Sequence, residues 1–348
     1  MMLAIPIPAL IAIFLATAAL TWLIRGFALR HGMVDVPNER SSHVDPTPRG
    51  GGMAIALVTT TALGSMMFGG YLSGVEFAVL GAGGFIIAAL GFADDWRQLS
   101  TRQRLGVHLA AATGAIVLLH GLPPIRVGAQ LIDPGWFGYV FGALGIVWML
   151  NLFNFMDGID GIAASEGAFI GIAGTLILAV GGQGHGFAAA GLTLGIACLG
   201  FLPWNWSPAK IFMGDAGSGY LGYCIACLAL FAGRENSVAL PVFLILSGVF
   251  VMDATVTFVR RMARNERYDV GHRTHGYQRL ALRWRSHRAV TSAVLLVNVL
   301  LLLPMAILAA RRPAWAAGIA LGVTGTLFVA AVLIGCGRRD RPPSETAR

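Results

Sequence analysis

Apolar residues along this chain come in long blocks separated by short polar stretches. Eleven blocks, at residues 3–24, 51–69, 75–93, 105–121, 137–154, 162–180, 187–203, 218–232, 238–259, 289–310 and 315–335, approach the ~20 apolar residues a helix needs to cross a bilayer. The pattern predicts an all-α polytopic integral membrane protein of about eleven transmembrane helices, or ten if one short, glycine-rich block does not cross. The first block is preceded by no basic residue, and its arginine, Arg25, comes after it. That order predicts an uncleaved first span with the N-terminus outside rather than a signal peptide. Residues 1–335 then form one transmembrane domain, and residues 336–348 a short, disordered tail.

One stretch breaks the pattern. Residues 151–167, NLFNFMDGIDGIAASEG, place two asparagines, two aspartates and a glutamate among glycines where an apolar helix should continue. Asn151, Asn154, Asp157 and Asp160 are spaced by three, so on a straight helix they would drift by about −60° per step and could not share a face. The reading that follows puts Asn151 and Asn154 in the last helical turn. Asp157 and Asp160 fall in a tight turn bounded by Gly158 and Gly161 that can aim both inward.

Composition agrees with the blocks. Hydrophobic residues make up 56% of the chain and charged residues 12%, roughly half the charge of a soluble protein. Cys198, Cys224 and Cys227 lie inside apolar runs and Cys336 ends one, so they read as packing residues rather than a disulfide framework or metal motif.

The net charge of +8 suggests a nucleic-acid partner until it is mapped. With loops assigned to alternate sides, 21 of the 25 basic residues fall on one side, and only Arg126, Arg234, Arg311 and Arg312 on the other. The positive-inside rule makes the rich side cytoplasmic, with a periplasmic N-terminus and a cytoplasmic C-terminus. The basic balance thus reflects topology and attraction to anionic lipids or phosphates, and no nucleic acid is expected. Acids follow the same asymmetry: only Glu76, Asp133 and Glu235 fall outside.

The cytoplasmic loops carry the candidate chemistry. GFADDWRQLSTRQR begins with adjacent carboxylates, Asp94 and Asp95; LPWNWSPAKIFMGDAGSGYLG sets Asp215 between glycines just before a span; DVGHRTHGYQRL carries His272 and His275. VDVPNERSSHVDPTPRGGG adds Arg49 and a glycine trio that would let the backbone approach a ligand closely. Asp94, Asp95, Asp157, Asp160 and Asp215 would repel one another at one surface unless a divalent cation sits among them. Oxygen-only donors favour Mg²⁺, with Mn²⁺ as the variant. Such a cation beside arginine- and histidine-bearing loops suits a diphosphate substrate. Zinc at the histidine pair lacks a cysteine or third histidine nearby. Asp253, some two turns inside span nine, is a functional candidate by its location, and a structural pairing with a neighbouring arginine or polar group is the preferred reading.

In this order, PTPRGGG, ADD, NFMDGIDG, PAKIFMGDAGS and HRTHGYQRL resemble the polyprenyl-phosphate N-acetylhexosamine-1-phosphate transferases over nearly the whole chain. The resemblance implies transfer of an N-acetylaminosugar-1-phosphate from a UDP-sugar to undecaprenyl phosphate, giving UMP, with Mg²⁺ required, in the bacterial inner membrane. It implies Asp215 as metal ligand and Asp94 and Asp95 as the pair acting on the lipid phosphate, Asp94 being the favoured base. Asn154, Asp157, Asp160, Asn205 and Phe212 would hold the nucleotide-sugar, with Asp160 nearest the uracil and Phe212 stacking. His272, His275 and Arg49 would contact phosphate or sugar.

The implied partners are undecaprenyl phosphate, a UDP-N-acetylaminosugar and the bilayer, with a homodimer as an option. The last loop reads HRTHGYQ where the peptidoglycan translocase carries three consecutive histidines. The wording therefore looks most like the branch that initiates O-antigen or capsule repeats, with phospho-MurNAc-pentapeptide transfer as the alternative. Direct in-line attack is expected, and a phosphorylated aspartate is the variant route. CDP-alcohol phosphatidyltransferases and UbiA-like prenyltransferases lack their signatures here. A transporter would place its acids near mid-membrane, where only Asp253 fits.

Overall fold

The computed structural model describes residues 5–37, 45–179, 185–266 and 273–338. The expected all-α membrane architecture is present. Among the described residues eight helices are long and apolar enough to cross a membrane: α1 Ile7–Arg30, α3 Gly74–Arg97, α5 Phe137–Met156, α6 Ile162–Ala179, α7 Gly186–Asn205, α8 Asp215–Glu235, α12 His287–Arg311 and α13 Pro313–Ile334. Helix α2, Met53–Phe68, is apolar but has 16 residues, about 24 Å at 1.5 Å per residue. Helix α4, Thr101–Leu118, opens with a polar turn carrying Arg102 and Arg104.

The ninth expected span is not one straight helix. It consists of α9, Ala239–Leu246, and α10, Gly248–Met262, bent by 72° at Ser247. The Ser247 hydroxyl donates to the Phe243 carbonyl at 2.7 Å, a back-bond that bends helices. At Gly248 an added Cβ would meet Leu327 Cδ1 at 2.7 Å. A short amphipathic helix, α11 (Gly276–Trp284), precedes α12 in what the sequence presented as loop. Two small antiparallel hairpins complete the described fold: β1 Val34–Asp35 with β2 Thr47–Pro48, and β3 Ile125–Val127 with β4 Gln130–Ile132.

Packing extends past the expected boundary at 335. Cys336 is buried, its carbonyl accepts from Arg260 Nη1 at 2.7 Å, and Gly337 N donates to the Thr274 carbonyl at 2.7 Å. Residues 339–348 of the expected tail lie outside the described residues.

Helix α8 is the hub. Its membrane window is 94% buried, against 17% for α1, so it contacts protein on every side while α1 faces lipid. It packs against α3 and α5 through small residues, as membrane helices do when backbones must approach closely. A Cβ at Gly91 of α3 would lie 2.3 Å from the Asp215 carbonyl oxygen, and one at Gly52 would lie 2.2 Å from Gly217 Cα. Gly52 of the glycine trio therefore lets the start of α2 meet the start of α8. Cys224 and Cys227 are free and buried within α8, in keeping with the packing reading.

Candidate active site

Three local devices bring the acids together. The first is the start of α8. Gly214 holds φ +73°, and a Cβ there would sit 2.3 Å from Asp95 Oδ2. Glycine is thus required both for the left-handed turn and for the carboxylate beside it. Asp95 accepts from Asp215 N at 3.1 Å and Ala216 N at 3.2 Å, capping the positive end of α8.

The second device is α4. Ser100 and Gln103 form a reciprocal capping box, Gln103 N donating to Ser100 Oγ at 3.3 Å and Ser100 N to Gln103 Oε1 at 3.0 Å. Helix therefore begins at Thr101, and Arg104 stands on its first turn rather than in a loop. Its Nη1 lies 2.9 Å from Asp94 Oδ2 and 3.2 Å from Asp215 Oδ2. One guanidinium nitrogen thus bridges the two carboxylates, while Leu99 N holds the other oxygen of Asp94.

The third is the polar end of α5, which ends at Met156 with Asn154 in its last turn and Asp157 as its C-cap. Asn154 Nδ2 donates to Asp215 Oδ1 at 2.7 Å and lies 3.2 Å from Ser218 Oγ. Gly161, with φ +74°, turns the chain into α6, so Asp157 and Asp160 do occupy the expected turn. Enclosure, and then the carboxylates of Asp215, Asp95 and Asp160, push the Asp157 carboxyl well above the ordinary carboxylate range. Burial alone would raise Asp160 too. The hydrogen bond and charge of His287, the Ser207 hydroxyl and the Ala209 N–H outweigh it and hold Asp160 below that range.

The expected residues divide into those that face open space and those that position others. The Asp215 side chain is 31% exposed and that of Asp94 11%, whereas Asp95 is 4% exposed with both oxygens on backbone N–H groups. Asp95 therefore orients the backbone at Asp215. Asn205 is likewise buried: its oxygen accepts from Gly161 N at 3.1 Å and its amide donates to the Ile211 carbonyl at 3.0 Å. Asn205 thus stitches the 157–161 turn to the loop before α8.

Phe212 is pinned by its backbone, N to the Pro48 carbonyl at 2.8 Å and O from Gly51 N at 3.0 Å, with a half-buried ring. Arg49 lies within electrostatic reach of Asp95, and its buried Nε has no protein partner among the described residues. His275 is buried as the N-cap of α11, its Nδ1 3.1 Å from Asp253 Oδ1. Asp253 also accepts from Gly276 N and Tyr277 N, both at 2.9 Å, and from Thr257 Oγ1 at 3.3 Å. This intramembrane acid is thus a structural cap, and of the two expected kinds of partner it has polar groups, His275 and Thr257, and not an arginine. His272 lies outside the described residues.

A cavity of about 560 Å³ opens on this cluster. Arg104, Asn154, Asp215, His275 and Gln278 form its polar end; Ile87, Leu105, Leu144, Val147, Trp148 and Phe258 form apolar walls. A larger cavity of about 790 Å³ between α6, α7 and α12 is almost wholly apolar and offers no convergent polar groups for chemistry. Arg104, the cation at the centre of the cluster, was missed in the sequence although the Ser-x-x-Gln cap that places it was legible there.

A divalent cation is tested by these donors. Among the described residues no three His, Cys, Asp or Glu side chains converge as a ready-made cage. Mg²⁺ characteristically takes only one or two protein carboxylates and completes its shell with water and substrate phosphates. Asp94 and Asp215, converging on one positive nitrogen with oxygen donors only, fit that pattern.

The profile of glycosyl transferase family 4 matches residues 77–233, a range that holds every carboxylate of this cluster. A probable undecaprenyl-phosphate N-acetylglucosaminyl 1-phosphate transferase of Bacillus subtilis is 30% identical over 83% of this chain and 81% of its own. A decaprenyl-phosphate N-acetylglucosaminephosphotransferase of Mycolicibacterium smegmatis is 29% identical over 93% and 84%. A phospho-N-acetylmuramoyl-pentapeptide-transferase of Syntrophus aciditrophicus is 33% identical over 67% and 71%.

Proposed function

We propose, since this chain belongs to glycosyl transferase family 4, that it transfers an N-acetylaminosugar-1-phosphate from a UDP-sugar to undecaprenyl phosphate. The observation that carries this reading is the two-ended cavity. Its apolar walls suit a prenyl tail and its Arg104–Asp215 end, with Asp94 on the same guanidinium nitrogen, suits a phosphate and a metal-bound diphosphate. A phosphate oxygen of the lipid attacks the β-phosphorus of the UDP-sugar, a new P–O–P link forms, and the bond from the β-phosphorus to the bridging oxygen breaks to release UMP.

Arg104 and His275 stand at the polar end to bind phosphate oxygens and stabilise the charge that builds up on them. Asp94 takes the residual proton of the lipid phosphate or orients it, a small task because that phosphate is largely ionised near neutral pH. Asn154 fixes the rotamer of Asp215, and Asp95 fixes its backbone. Asp157, Asp160 and Phe212 line the donor side. Mg²⁺, held by Asp94 and Asp215, would neutralise diphosphate oxygens when bound.

An N-acetylglucosamine-type donor is favoured over phospho-MurNAc-pentapeptide, because the aminosugar transferases match 83% and 93% of this chain and the muropeptide transferase 67%. The HRTHGYQ loop points the same way. The motif wording supports a place at the start of O-antigen or related envelope polysaccharide synthesis, in the bacterial inner membrane. The test is purified protein with undecaprenyl phosphate, Mg²⁺ and a panel of UDP-sugars, following UMP and lipid product. UMP release with at least one UDP-N-acetylhexosamine is expected, and EDTA should abolish it. No product with any donor, or turnover indifferent to EDTA, contradicts the reading.

A further inference from the structure

The Asp160 carboxylate is the meeting point of three segments that are far apart in sequence. Its Oδ1 lies 3.3 Å from His287 Nδ1 at the first turn of α12. Its Oδ2 accepts from Ala209 N at 3.3 Å, in the loop between α7 and α8. The Asp160 carbonyl accepts from Thr291 Oγ1 at 2.9 Å. His287 and Thr291 are one helical turn apart and so share a face of α12. Ser286 caps this helix, its Oγ accepting from Ala289 N at 3.1 Å, so the first turn that carries His287 is fixed.

We propose that His287 is a positioning residue of the nucleotide-sugar site: it sets the direction of the Asp160 carboxylate and, with Thr291, ties α12 to the 157–161 turn. The inference rests on the reading above that this turn holds the donor. A carboxylate with one backbone N–H and one hydroxyl for partners keeps two loose torsions. A ring nitrogen on its second oxygen removes that freedom, and charge-assisted hydrogen bonds are the stronger ones. The His287 ring is 17% exposed, enough to border the site without filling it. His287 does not line the Arg104 cavity, so its influence should fall on the donor and spare the lipid acceptor.

The experiment measures steady-state kinetics with both substrates varied, alongside thermal unfolding in detergent. His287→Ala is expected to raise the KM for the UDP-sugar about tenfold, with kcat and the KM for undecaprenyl phosphate nearly unchanged. His287→Gln, which restores an N–H donor, should recover most of that loss. In an Asp160→Asn background, His287→Ala should add nothing, because the two act as a unit. If the alanine variant does not fold, His287→Leu fills the same volume without a donor and carries the same expectation. An unchanged donor KM, additive effects in the double variant, or an equal loss of kcat and both KM values would overturn the role of His287. A wild-type protein that neither binds a UDP-sugar nor releases UMP would overturn the functional reading, and this role with it.

Discussion

Asp215→Ala and Asp94→Ala should each lower kcat by on the order of 10³-fold while leaving the protein folded. The reason is their position. Asp215 is the residue on which Arg104, Asn154 and the Asp95-capped start of α8 converge, yet its side chain remains 31% exposed. Removing the carboxylate leaves the backbone N–H groups of 215 and 216 on Asp95, so the helix keeps its cap. It frees Arg104 from one of its two anions and removes half of the proposed metal-binding pair. Asp94→Ala does the same from the other side. Asp95→Ala should behave differently. It uncaps α8 and should cost about 0.5–2 kcal/mol of stability, visible as a lowered unfolding temperature, with activity falling as a consequence. UMP release and thermal unfolding on the same preparations separate the two patterns. Near-full turnover in both Asp215→Ala and Asp94→Ala would remove the site from consideration.

The second large effect is steric and contains no chemistry. Gly91→Ala should reduce turnover by roughly 10²-fold and destabilise the protein by about 1–3 kcal/mol. The added methyl would lie 2.3 Å from the Asp215 carbonyl oxygen and 2.5 Å from Ala216 N. Both are backbone atoms of the hub helix and cannot swing aside, so α3 must move. Asp94 and Asp95 lie one turn further along α3 and would move with it, away from Asp215. Gly322→Ala on α13 is the matched control, since nothing lies within 4 Å of its added Cβ. The control should unfold and turn over like the wild type. A Gly91→Ala protein with full activity would mean that the register of α3 against α8 does not matter to the reaction.

These two effects also mark where sequence reasoning stops. Each of the eleven apolar blocks overlaps a helix, eight of them, among the described residues, long and apolar enough to cross a membrane. Backbone groups in lipid must be satisfied within the segment, and that demand is written residue by residue. The Asp157–Asp160 turn was legible for the same local reason: four polar residues at a spacing of three cannot share a helical face, and Gly161 supplies the positive φ that the turn needs.

The division of labour between Asp94 and Asp95 was open to deduction. Adjacent residues on a helix point about 100° apart, so the two carboxylates were bound to meet different groups, Asp94 the Arg104 guanidinium and Asp95 the backbone N–H groups of α8. The Ser100–Gln103 box was equally local, and overlooking it left Arg104 in a loop. The His287–Asp160 and His275–Asp253 pairs were not legible, because they join residues 127 and 22 positions apart through tertiary packing that no local pattern encodes. The glycine trio shows the converse: its composition signals close approach, and at Gly52 the structure supplies the partner, Gly217 of the hub helix.

The central claim is the bond that breaks, and it can be read from one atom. UDP-N-acetylglucosamine labelled at the β-phosphorus, incubated with undecaprenyl phosphate and the purified protein, should pass its label to the lipid while unlabelled UMP is released. Label that stays on the nucleotide as UDP, with sugar alone on the lipid, would contradict transfer of a sugar phosphate and the site built here to perform it.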